Sequence, residues 1–227
     1  MTVTTPTTRT PAGAALGRTA ALLVAGAVLV NLAFLGLATA FDYPDVLNQP
    51  PADVLSRFHA NALVIAALFL LLAAGAALLA PIAVTVSRLG TGAVLRASRI
   101  VGVTAAIVQV VGLLRWPLVV PFLAAEAPTA SAARTFDMVN LILGTTIGET
   151  VGYALTAAWT VLVCIGLARG VLGRVLAGVG LLAAALIAVG TVEPFVPIAG
   201  PANFIGYVVW SGWLIAFAVV LLRRRTV

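Results

Sequence analysis

The chain has no lysine and little charge of any kind. Only 9% of its 227 residues are charged, and all 13 basic ones are arginine. Soluble domains usually carry about 25% charged residues. With 62% hydrophobic residues, this chain has too few charges to cover its apolar surface in water. Lipid is therefore the expected solvent for most of it. Cys164 is the one cysteine and His59 the one histidine. A single cysteine makes no intrachain disulfide, and Cys164, inside an apolar run, reads as a small buried hydrophobe. One His and one Cys leave no ligand set for a zinc cluster or a bis-histidine haem, so neither metal nor cofactor is expected. A Gly-x-Ser-x-Gly elbow, a His-x-x-x-His spacing and a phosphate loop are all missing.

What the chain does have is long apolar runs. A helix needs roughly 20 residues to cross the hydrocarbon. Six runs reach that length: residues 19–41, 58–80, 100–123, 136–167, 171–190 and 203–222. The predicted fold is all-α: a polytopic transmembrane helical bundle of about six spans, filling residues 18–227. Residues 1–17, rich in Thr, Pro and Gly, read as a disordered cytoplasmic tail. Ala38-Thr39-Ala40 has the form of a signal-peptidase site. The run before it exceeds the roughly 7–15 residues of a signal h-region, so it is expected to stay as a span. Pro81 predicts a kinked continuation of the second span. Pro50-Pro51 followed by Asp53 predicts a short interfacial helix ahead of that span. The connection 193–201 is apolar and Pro-rich, and either dips back toward the membrane or caps the bundle. No internal repeat stands out.

The formal net charge of +6 does not indicate nucleic acid, because the arginines stand mostly at the ends of apolar runs. Six spans put Arg9, Arg18, Arg88, Arg96, Arg99, Arg169, Arg174 and Arg223-Arg224-Arg225 on one side. The other side carries Asp42, Asp45, Asp53, Glu126, Asp137 and Glu193, against Arg57 and Arg134. Arginine marks the cytoplasmic side, so the chain is expected to cross a bacterial plasma membrane several times with both termini in the cytoplasm.

Two ionisable residues fall within spans: Arg115 in the third and Glu149 in the fourth. A charge at mid-bilayer costs roughly 2.5–3.5 kcal/mol on insertion scales, so such groups face the interior and usually have a partner. At a rise of about 1.5 Å per residue, their backbones differ by roughly 8 Å in depth, within reach of a long arginine. An Arg115–Glu149 pair is expected, either as a functional site or as a lock between two helices; snorkelling of Arg115 to the interface is the other reading. Gln109 lies closer to Glu149 in depth but about 120° around its helix from Arg115. Gly144, Gly148 and Gly152 recur every four residues, a stripe that lets a neighbouring backbone approach closely. Thr145 and Tyr153 lie one turn either side of Glu149. The candidate ligand-binding set is Arg115, Glu149, Gln109, Thr145, Tyr153 and Trp116, with the three glycines as packing residues. Asn31, Asn61, Asn140, Thr146, Thr156, Asn203 and Ser211 read as interhelical hydrogen-bonding groups, and His59 as an interfacial histidine.

A set of short motifs runs through the chain: Phe41-Asp42-Tyr43-Pro44, Gly112-Leu113-Leu114-Arg115-Trp116-Pro117, Gly148-Glu149 with Gly152-Tyr153, Thr156 and Trp159, then Asn203-Phe204-Ile205-Gly206-Tyr207 with Trp210-Ser211. Together they resemble a family of small bacterial multi-span proteins, frequent in actinobacteria and catalogued only as a domain of unknown function. The resemblance covers nearly the whole chain after the tail. It implies a helical bundle in the cell membrane and no particular reaction. In relatives a His often follows the Glu; here that position is Thr150, which weakens a Glu–His proton-transfer reading.

Three roles follow. The first is binding or transport of a small molecule, lipid or ion at the polar site around Arg115 and Glu149. Six short spans would need further copies of the chain to transport. The second is an intramembrane enzyme on a lipid or isoprenoid, with Glu149 as general acid and Trp116, Tyr153 and Trp159 stabilising a cation. The third is a non-catalytic membrane subunit or regulator. The expected partners are the bilayer, a lipid or small apolar ligand, and other copies of the chain.

Overall fold

The structure, a computed structural model, describes residues 11–127, 129–196 and 198–225. Among them there are helices and turns and no strands, and six stretches are long and apolar enough to cross a membrane. The first span is α1, Pro11–Phe41. It starts earlier than its apolar run, so residues 11–17 are helical rather than part of a disordered tail. Proline suits a helix start, and Ala14, Ala15 and Leu16 are strong helix formers. Residues 1–10 of the expected tail lie outside the described residues.

The second span begins later than expected. Phe58 closes a separate helix, α2 (Pro51–Ala60), and the chain turns at Asn61 before α3 (Ala62–Ala77). The reason is amphipathicity. Val54, Leu55 and Phe58 are buried while Asp53, Arg57 and His59 are exposed, so α2 caps the bundle end instead of running on as a span. Asp53 sits in its first turn, as its sequence predicts. The span then breaks at Leu78 and continues as α4 (Leu79–Val86). Pro81 falls in the new helix's first turn, where no N–H is needed.

The third span is α5 (Ala93–Leu118), broken at Val119 between Pro117 and Pro121, then α6 (Val120–Ala125). The fourth runs unbroken for 38 residues. It consists of α7 (Ala130–Val139), a π-helix (Asn140–Val151) and α8 (Gly152–Leu167). The fifth is α9 (Gly173–Val189), opening at Gly173 with φ +73°. The sixth is α10 (Ala199–Arg225). Between them the described residues turn at Glu193–Phe195, with Phe195 and Ile198 exposed.

Each span packs on its neighbours in sequence, and the sixth packs on the first. The result is a closed up-and-down ring. Arg225 of α10 lies over Gly17 of α1, so the two ends of the described chain share one end of the ring. That end, here the terminal end, carries Arg18, Arg88, Arg96, Arg99, Arg169, Arg174 and Arg223–Arg225. Two apolar cores fill the ring. One, toward the terminal end, holds Leu23, Ile82, Trp159, Trp213 and Phe217. The other, at the opposite end, holds Leu37, Phe41, Phe58, Phe69, Trp116 and Phe136.

Candidate functional site

The polar residues of the third and fourth spans meet along one seam. A methyl added at Gly144 would strike the Arg115 guanidinium at 2.6 Å; at Gly148, the Gly112 Cα at 3.1 Å; at Gly152, the Gln109 side chain at 3.0 Å. The three glycines therefore lie against Arg115, Gly112 and Gln109 in antiparallel order. Where Gly112 faces Gly148 the contact is backbone to backbone, as small-residue seams permit. Arg115 and Gln109 both face this seam.

Two-thirds of this face belongs to the π-helix. Its i→i+5 bonding is rare and occurs mostly as single-turn bulges, frequently at functional sites; here it lasts twelve residues. The Thr146 hydroxyl follows the same period, donating to the Leu141 carbonyl at 2.8 Å. The wide turn sets which group meets Arg115. Gly144 lies against the guanidinium, while Glu149 stands a full turn further along. Arg115 is only 3% exposed. Its Nη1 donates to the Gly112 carbonyl at 2.7 Å, and its Nη2 donates to Asn140 Oδ1 at 2.9 Å. The Tyr43 hydroxyl lies within its reach, and its Cζ stands 5.3 Å from the Trp116 ring centroid. Its Nε has no partner.

The expected Arg115–Glu149 ion pair is thus not formed. Asn140 and a backbone carbonyl hold the guanidinium instead, and the two charges act on each other only at a distance. Glu149 is half-buried, and its carboxylate makes no hydrogen bond to another described residue. The groups that feel its charge are Tyr43, Tyr153, Glu193 and Tyr207. They come from the first connection, the fourth span, the fifth-to-sixth connection and the sixth span. Glu193 is half-buried at the opposite end, beside Gly200. Burial pushes its carboxyl above the ordinary value of 4.5, and the negative charge of Glu149 adds to the shift. Burial likewise pushes the Tyr43 phenol up, so it stays protonated beside Arg115.

Below Glu149, toward the terminal end, a ladder of polar groups is hydrogen-bonded, although Trp159 Nε1 beside it has no partner. Gln109 Nε2 donates to Thr156 Oγ1 at 2.7 Å, with the Tyr207 hydroxyl also close to Thr156. Thr160 Oγ1 donates to the Thr156 carbonyl at 2.9 Å, and Trp210 Nε1 donates to Thr160 Oγ1 at 2.8 Å. The Tyr153 and Tyr207 rings meet edge to face at 5.6 Å. Asn203 Nδ2 donates to the Ile187 carbonyl, and Asn31 Nδ2 to Ser211 Oγ, each at 2.9 Å.

Of the six candidate ligand-binding residues, Arg115 and Gln109 lie in the seam itself, while Glu149 and Tyr153 stand beside it on the fourth span, Tyr153 packed on Tyr207 and Gly190. Thr145 is half-buried on the π-helix. Trp116 stands beside Arg115 but within the apolar core at the opposite end. It is fully buried, stacked on Phe69 at 4.6 Å and walled by Phe41, Tyr43, Phe58 and Phe136. Trp159 is also fully buried, against Trp210 and Trp213. Neither surrounds Glu149, so two of the three aromatics that the cation-stabilising reading called on are core residues. Asn140, Tyr43, Glu193, Thr156 and Tyr207 also belong to the site, and nothing in the sequence alone placed them there. Asn140 carried a signal, being an amide within a span, but it read as one interhelical bond among several.

Fold and seam together define a polytopic helical membrane protein with a polar layer between two apolar cores. Residues 19–218 match the family described as Domain of unknown function (DUF4386). The chain belongs to that family. No curated protein and no solved structure matches it.

Proposed function

We propose that this protein binds a small molecule or an ion at Glu149, reached from the opposite end past Glu193. One observation carries the reading: the carboxylate is within a span and has no hydrogen bond or ion pair among the described residues, while Arg115 is engaged by other groups. Ionisable side chains at membrane depth almost always have a partner, and here a bound cation or hydrogen-bond donor supplies it. The satisfied ladder from Gln109 to Trp210 closes the site on the terminal side. The rigid glycine seam holds the carboxylate in a fixed place.

The setting is a cell membrane with both termini cytoplasmic, a reading supported by the arginines gathered at the terminal end. The test is mass spectrometry of what co-purifies with the wild-type chain and with Glu149→Gln in mild detergent. A species held by the wild type and lost from a folded Glu149→Gln supports the site. Equal retention by both, or nothing retained by either, overturns it and leaves the role of a membrane subunit.

A further inference from the structure

A second feature lies far from Glu149, on the lipid-facing side of the ring. Between α1 and α10 runs a cleft of about 460 Å³. It is an open groove along α1, lined by Gly17, Ala20, Ala21, Val24, Ala25 and Val28 with Leu222 of α10 at its edge, and Gly17, Ala21 and Ala25, four apart, give it its small-residue floor. At about 1.5 Å per residue, Gly17 to Val28 spans roughly 16 Å. That matches about half of a 30 Å hydrocarbon core, the depth of one leaflet. The cleft is thus as long as one acyl chain and belongs to the leaflet at the terminal end.

The mouth is cationic. Arg18 is exposed on the residue next to Gly17, and the Arg225 guanidinium lies over Gly17, where an added methyl would meet Nη1 at 2.7 Å. We propose that this cleft is a binding site for an anionic phospholipid, one acyl chain along the small-residue floor and its phosphate against Arg18 and Arg225. A second copy of the chain is the competing occupant of such a surface. A two-fold dimer across this face would bring both copies' Arg18 and Arg225 together at the same depth, and like charges repel. The charges fit a phosphate and oppose a copy.

The experiment is native mass spectrometry of the full chain from mixed micelles holding equal phosphatidylglycerol and phosphatidylcholine. The wild type is expected to retain phosphatidylglycerol preferentially. Each of Arg18→Gln and Arg225→Gln lowers that preference about fivefold, from about 1 kcal/mol per arginine near an anionic headgroup. Ala21→Leu with Ala25→Leu keeps every charge, fills the floor and is expected to remove the retained lipid. Arg96→Gln with Arg99→Gln, on the same end but on α5, leaves the preference unchanged. Circular dichroism confirms that each variant is helical. Equal retention of both lipids overturns the proposal. So does the same loss from the α5 variant, or a lipid-free dimer that Ala21→Leu with Ala25→Leu dissociates.

Discussion

At the residue scale, the site depends on one amide. Asn140 accepts from Arg115 and so takes the place expected for Glu149. Asn140→Leu leaves Nη2 buried without an acceptor. Losing a charged hydrogen-bond partner in a buried place costs about 1–3 kcal/mol. The expected result is a clear loss of resistance to denaturant in micelles, with Asn140→Asp restoring it because a carboxylate accepts the same bond. Equal stability of Asn140→Leu and wild type would remove Asn140 from this role. Glu193 gives a pH test. Its raised carboxyl binds a proton more tightly in the folded chain than in the unfolded one. Stability therefore falls as pH rises from the ordinary value of 4.5 through the raised one. Glu193→Gln is expected to melt higher than wild type at about pH 8 and at the same temperature at about pH 4. A difference independent of pH would disprove the cause assigned here.

At the element scale, the decisive feature is the packing of α5 on the π-helix. A methyl on Gly112 would meet Gly148 Cα at 2.6 Å and the Leu143 carbonyl oxygen at 2.8 Å. Both are backbone atoms and neither rotates away. Gly112→Ala is expected to destabilise by about 1–3 kcal/mol, the range of overpacked sites. Gly178→Ala in α9 meets nothing within 4 Å and gains helix propensity of up to about 1 kcal/mol. Denaturant titration of both variants checks the contrast; equal midpoints would mean the seam is looser than the geometry requires. The glycine spacing was legible in sequence because small residues every four positions have few other uses in a span. The π-helix was not, because nothing in Asn140–Val151 distinguishes i→i+5 from i→i+4 bonding before the neighbouring backbone is present.

At the scale of the whole molecule, the ring and its charge arrangement set topology. Six antiparallel spans put residues 91 and 129 on opposite sides. Cys164 is 1% exposed, so a single new cysteine reports alone. Thr129→Cys is expected to react with a membrane-impermeant thiol reagent in intact cells, and Thr91→Cys only after permeabilisation. Reaction of both in intact cells, or of neither before permeabilisation, would overturn the six-span ring, and reversed sidedness would overturn the cytoplasmic termini.

Composition and run length alone determined that this chain is a helical bundle of six spans. Apolar length and arginine placement are properties of the chain read along one dimension, and lipid leaves helices as the solution for such runs. They also showed that Arg115 and Glu149 are costly groups needing explanation. The partners of those groups were decided by tertiary structure alone. A guanidinium takes whichever acceptor the packing brings within about 3 Å. That choice depended on the wide turn of the π-helix and on Gly112 meeting Gly148, neither of which exists until the third and fourth spans are pressed together.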